Sequence, residues 1–145
     1  MRYQSNRSSC GPATLHNALN ALGIHRTEDE LIQLTGQNPT GTSAKGLIKA
    51  LTSISTPEAP LHGEAVKFST ATQATIGLWY YVSDMGRPVI LCVDDFDHWI
   101  VCTGHLGRRF AVIDPADNRL VLYYGATELL TRWEGPNGGW HAIVV

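Results

Sequence analysis

The sequence predicts an α+β fold: one domain over residues 1–145, an N-terminal helical lobe packed on a C-terminal antiparallel sheet. Three observations carry this. Apolar residues recur with helical spacing through the first half of the chain, and the second half has strand texture. That segregation argues for helices laid on a sheet, not for alternating βαβ units. "VILCV" (89–93) and "HWIVCTG" (98–104) flank the acidic turn "DDFD", a hairpin signal. Finally, 145 residues with 43% apolar and 17% charged content are enough for a core without staples or metals. No repeat, low-complexity tract or linker divides the chain.

The elements follow in order. Residues 10–22 place Ala13, Leu15, Ala18, Leu19 and Leu22 largely on one helical face, and Gly23 ends the run. Ser8 or Ser9 can cap this helix. Thr27 and Glu30 form a T-x-x-E capping box before Leu31, Ile32 and Leu34, and Gly36 stops that short helix. A third helix starts at Thr42 or Ser43 and carries Leu47, Ile48, Leu51 and Ile54. Residues 55–69 hold two prolines and read as a loop with a short strand at 65–68. A fourth helix at about 71–84 is led by Ile76, Trp79, Tyr80 and Val82. Strands at 89–93, 98–104, 109–115 and 119–124 follow, then a helix near 126–133 and a last strand at 141–145.

Composition excludes several function classes. A formal charge of -2 leaves no basic stripe for nucleic acid. The clusters Glu28-Asp29-Glu30 and Asp94-Asp95-Phe96-Asp97 read as a solvated helix start and a solvated turn. Three cysteines are an odd count, with no CxxC pair, and no histidine cluster completes a zinc spacing. No metal and no cofactor is therefore expected. Cys92 and Cys102 read as core residues of strands, with a bridge between them left open. The N-terminus lacks an apolar signal region and no stretch is long enough to span a bilayer. A cytoplasmic protein is the default expectation, and oligomeric state is not encoded.

The chemistry concentrates at "QSNRSSCGPA". At a helix start, unsatisfied N–H groups and the helix dipole stabilise a thiolate. Pro12 suits a first turn, whose N–H groups have no intrahelical partner, and Gly11 lets a substrate approach the backbone. Cys10 is so placed as a nucleophile, provided a base stands nearby. Buried cysteine is also a common packing residue, and Cys10 alone does not decide between the two. His98 begins a strand after a polar turn. Asp114 ends the next strand, where a hairpin brings it beside His98 to orient the imidazole. Gln4 can donate its amide to a developing oxyanion together with the Cys10 N–H. His16, His105 and His141 read as structural, and Trp133 and Trp140 as core anchors.

"Q-x5-C-G-P-A" at 4–13, "G-x-P-V-I" at 86–90, "D-H-W-I-V" at 97–101 and "V-I-D-P" at 112–115 resemble the C39-like branch of the papain-like cysteine peptidases. "GT" at 41–42 and "ELLTRW" at 128–133 also look like family features. That branch includes bacteriocin leader-cleaving domains that cut after a Gly-Gly pair. The resemblance implies a papain-like fold with Cys10 as nucleophile, His98 as general base and acid, Asp114 as its orienter and Gln4 as oxyanion donor. Trp99 would line the groove with Gly41 opposite and Gly11 beneath the substrate. The expected function is a cysteine peptidase or isopeptidase acting on a peptide or protein. Leader-cleaving domains are normally fused to membrane transporters, whereas this chain is expected to be free-standing. Two alternatives share the fold: a peptide-binding module that does not cut, and an acyltransferase in which an amine replaces water.

Overall fold

The computed structural model describes residues 10–38, 41–117, 119 and 121–145. Three helices come first: α1 (Cys10–Ala21), α2 (Glu28–Thr35) and α3 (Ala44–Ile54). β1 (Glu64–Phe68) and α4 (Ala71–Trp79) follow, then β2 (Val89–Val93), β3 (His98–Leu106), β4 (Arg109–Ile113), β5 (Leu122–Tyr124), α5 (Ala126–Trp133) and β6 (Trp140–Val144).

The capping signals act as expected. Thr27 accepts the Glu30 N–H at 3.2 Å, and Gly36 closes α2 in the left-handed region at φ 67°. Ser43 accepts the Gly46 N–H at 3.0 Å, so α3 begins after the later of its two candidate starts.

Several strand ends shift by one or two residues, β4 stopping at Ile113 just before Asp114 and β3 running on to Leu106, and two larger differences from the sequence expectation have a local reason. The fourth helix leaves α geometry at Tyr80, whose N–H is shared by the Ile76 and Gly77 carbonyls. The chain then closes a π turn over Tyr80–Asp84, with the Met85 N–H on the Tyr80 carbonyl at 3.0 Å. Its inward stripe is Ala74, Leu78 and Val82, while Ile76 and Tyr80, expected to lead the apolar face, are exposed. β5 starts at Leu122 and not at 119, because Arg119 folds back on Asp117 in a two-pronged pair with its shortest contact at 2.6 Å.

The strands form a six-stranded antiparallel sheet, in the order β1-β6-β2-β3-β4-β5, among the described residues. Helices cover both faces. Leu15, Leu19, Leu47 and Leu51 from α1 and α3 pack on Ile90, Cys92, Trp99 and Val101. On the other face Leu78, Leu129 and Trp133 from α4 and α5 pack on Leu91, Val93, Ile100 and Phe110. This explains why β2 reads as an unbroken apolar run: all five of its residues are buried. α1 sits so deep that nine of its twelve residues are buried, more than one amphipathic stripe would give. Cys92 and Cys102 lie in different cores on opposite faces of the sheet, so the bridge left open by the sequence does not form; all three cysteines are free. Among the described residues, no helix is long and apolar enough to cross a membrane.

Candidate active site

Cys10 is the first residue of α1 and is 5% exposed. Three contacts fix this helix start. The Thr14 hydroxyl donates to the Trp99 carbonyl at 2.8 Å. The Trp99 indole N–H donates to the Thr42 carbonyl at 2.9 Å. A Cβ on Gly11 would lie 2.4 Å from the Thr42 Cβ, so only glycine lets the segment before α3 come this close. α1, the beginning of β3 and the approach to α3 thus meet at one corner, next to His98.

His98 Nε2 lies 2.6 Å from Asp114 Oδ1, and both side chains are well shielded from solvent. That contact occupies Nε2, and Cys10 is the second group that acts on the imidazole. Burial alone would push the His98 pKa down. The hydrogen bonds to Asp114 and Cys10 outweigh it and raise the imidazole to about 9. Asp114 runs the opposite way: burial would raise its carboxyl, but the His98 bond, the Ala116 N–H at 2.9 Å and the nearby Arg132 hold it below the usual range. The raised imidazole and lowered carboxyl form a pair suited to an imidazolium against a carboxylate. Cys92 shares the Cys10 core, yet burial, with a lesser push from Cys10, raises its thiol to about 12, so it stays protonated.

Strand alternation assigns His98, with Ile100, and Asp114, with Val112, to the α5 side of the sheet. Cys10 belongs to the core on the α1 side. The cluster therefore straddles the end of the sheet.

The structure brings Cys10, His98 and Asp114 together with Trp99, which is 9% exposed. Gly41 joins this corner through its neighbour Thr42. It holds φ 124°, and its N–H and carbonyl are engaged with Asn38 at 2.9 and 3.1 Å. At Gly11 the close approach is made by Thr42 of the chain itself. Gln4, and the cap candidates Ser8 and Ser9, lie outside the described residues. His16 ties α1 to the following loop through the Arg26 carbonyl at 2.9 Å. His105 packs edge-on against Trp79, and His141 against Phe96. Trp133 and Trp140 are buried, each with its indole N–H on a backbone carbonyl.

Sequence reading missed Arg132. Its guanidinium lies 2.9 Å from Asp114 Oδ2 and makes a two-pronged pair with Asp94, both bonds 2.9 Å. The acidic turn is thus tied to α5 and not simply solvated. The signal was present in "ELLTRW", but nothing local to that helix says where its arginine points.

The model of the peptidase C39 family matches residues 1–136. The chain belongs to the peptidase C39 family. A relative in Methanothermobacter thermautotrophicus, an uncharacterized protein, is 50% identical over 121 residues, covering 82% of this chain and 73% of the relative. Another uncharacterized protein, from Methanothermobacter marburgensis, is 33% identical over 117 residues, covering 81% and 72%. Among solved structures, the peptidase domain of Streptococcus ComA, a bifunctional ABC transporter of a quorum-sensing pathway, superposes with a TM-score of 0.73 at 20% identity. It covers 99% of this chain and 96% of that one. A double-glycine-motif protease from an AMS/PCAT transporter, solved with its leader peptide, gives 0.65 at 18% identity, covering 99% and 89%. A C39-like peptidase from Bacillus anthracis gives 0.66 at 13% identity, covering 100% and 94%. These C39 domains share the papain-like α+β fold found here, helices on an antiparallel sheet.

Proposed function

We propose that this C39-family chain is a cysteine peptidase whose reacting groups are Cys10, His98 and Asp114. The observation that carries the reading is the 2.6 Å His98–Asp114 contact with Cys10 as the imidazole's second partner. The Cys10 sulfur attacks the scissile carbonyl carbon, and the oxyanion is received by the Cys10 N–H and the Gln4 amide. His98, held protonated by Asp114, gives its proton to the departing amine as the C–N bond breaks, leaving a thioester. His98 then takes a proton from water, the hydroxyl adds to the thioester, and the acid leaves with the sulfur returned as thiolate beside the protonated ring. No metal or nucleotide enters these steps.

The substrate in this reading is a peptide with small residues, such as Gly-Gly, on the acyl side. Support comes from the motif resemblance and from the leader-peptide complex of a double-glycine protease of the same fold. Three free buried thiols fit a reducing compartment, and we place the activity in the cytoplasm.

The test is intact-mass analysis of a peptide library, with Gly-Gly and bulkier pairs, incubated with wild type, Cys10→Ala and His98→Ala. Cleavage after Gly or Ala pairs that both variants abolish is the expected result. Cleavage with no preference for Gly or Ala overturns the substrate assignment alone. Binding without cleavage in the wild type makes the chain a recognition module, and products joined to an added amine make it a transferase.

A further inference from the structure

Asp114 has two oxygens, and they are held by different layers of the protein. Oδ1 receives His98 Nε2 at 2.6 Å and the Ala116 N–H at 2.9 Å. Oδ2 faces Arg132 Nη2 at 2.9 Å. The guanidinium is itself held on every side. Asp94 takes Nε and Nη2 at 2.9 Å each, the Tyr124 hydroxyl takes Nη1 at 3.1 Å, and the Asp94 N–H donates to the Arg132 carbonyl at 3.1 Å. Asp94 belongs to a turn in which Asp94, Asp95 and Phe96 all have positive φ, a conformation that non-glycine residues resist. The turn ends at His98. One guanidinium therefore joins the carboxylate that faces His98 to the turn that leads into it.

A tie between α5 and the hairpin would need only the Asp94 fork. The additional contact to Asp114 fixes the plane of the carboxylate, since rotating it would break the bonds at both oxygens together. With Oδ2 unpaired, a carboxylate that is 5% exposed would be left half-satisfied, which buried polar groups rarely tolerate.

We propose that Arg132 is a positioning residue for this site: gripped by Asp94 and Tyr124, it holds Asp114 Oδ2 so that Oδ1 stays on His98. This rests on the reading of Cys10 and His98 as the reacting pair. The charged and titratable groups facing Asp114 are His98 from β3 and Arg132 from α5. Asp117 and Arg119 lie in the loop after it, Asp94 and Tyr124 lie beyond the guanidinium, and Cys10 acts through His98.

The experiment measures carboxamidomethylation of Cys10 by iodoacetamide from pH 5 to 10, located by peptide mass. It needs no substrate, and it uses wild type, Arg132→Met, Arg132→Lys, Asp114→Ala, His98→Ala and the Arg132→Met/Asp114→Ala double variant. Arg132→Met is expected to slow the reaction at pH 7 about 10–100-fold, the cost of a misplaced catalytic geometry. Its acid limb should move to higher pH, because Asp114 without the neighbouring cation takes up a proton sooner. Arg132→Lys should restore the limb but only part of the rate, since an ammonium keeps the charge and loses the fork. In the Asp114→Ala background, Arg132→Met should change nothing further. Equal slowing with and without Asp114, or a wild-type rate and limb in Arg132→Met, overturns the proposal. Should Arg132→Met fail to fold, Asp94→Asn replaces it: a smaller fall that vanishes without Asp114 supports the proposal, and a fall that persists sinks it. A wild-type rate in His98→Ala instead removes the reacting pair, and this inference with it, so the two failures are told apart.

Discussion

On the α1–α3 face of the sheet, the groups that reach the site are a thiol and neutral hydrogen bonds: Cys10, the Thr14 hydroxyl, the Trp99 indole. On the α4–α5 face they are ionic: Asp114, Arg132 and, through it, Asp94. His98 stands between them at the sheet's end and touches both. The two layers therefore divide the work. The first fixes where the sulfur is by packing and by bonds that salt and pH leave alone, and the second sets the charge of the ring that meets it. Position and protonation are built by different physics, so each should fail separately.

His98→Ala removes the group common to both faces and should have the largest effect. Loss of one member of a reacting triad costs about 10⁴-fold or more in rate, and the melting temperature should fall as well, since buried Asp114 loses its ring partner. Cleavage kinetics and calorimetry on one preparation check both halves.

The ionic face should show itself next, in the dependence of stability on pH. His98 is raised from 6.5 to about 9, so its contribution is fully present below 6.5 and is lost as pH rises through 9. Urea midpoints taken at pH 6.5 and 9.5 should fall in the wild type by more than in His98→Ala. Equal falls would mean the ring gains no charged partner on folding.

Gly11→Ala tests the packing face alone. The added methyl meets the Thr42 side chain within contact distance, and such overpacking costs about 1–3 kcal/mol. Its pH dependence should match the wild type. Thr14→Val should cost about 1 kcal/mol through the lost bond to the Trp99 carbonyl. Thr27→Ala, at the α2 cap and distant from both faces' contribution to the site, should cost about as much or less and leave the rate unchanged. Denaturant midpoints and initial rates order the three.

The fold was legible because its signals are local. Capping residues Thr27 and Ser43, the left-handed Gly36, and the unbroken "VILCV" run each state their structure within a few positions. The placement of His98 and Asp114 was legible too, since consecutive strands joined by a short turn bring their ends together. Arg132 was not legible, for its partner Asp94 is 38 residues away and the contact depends on α5 packing against the second face of the sheet. The second layer itself was under-read. Periodicity marks the apolar stripe of α4 only weakly, and the exposed Ile76 and Tyr80 imitate core residues in sequence. At Gly11 the sequence shows that space is needed but not what fills it.

The pairing of Val93 with His98 across four turn residues has a consequence for how this segment can change over time. A shift of β3 by one position would exchange its two faces: Trp99 and Val101 would turn toward α5, and Ile100 and Cys102 toward α1. His98 would leave Arg132's side of the sheet altogether. Descendants of this chain that keep Asp94 on Arg132 are therefore freer to replace residues 95–97 than to lengthen or shorten the turn by one, and related sequences should differ there by replacement, not by gaps.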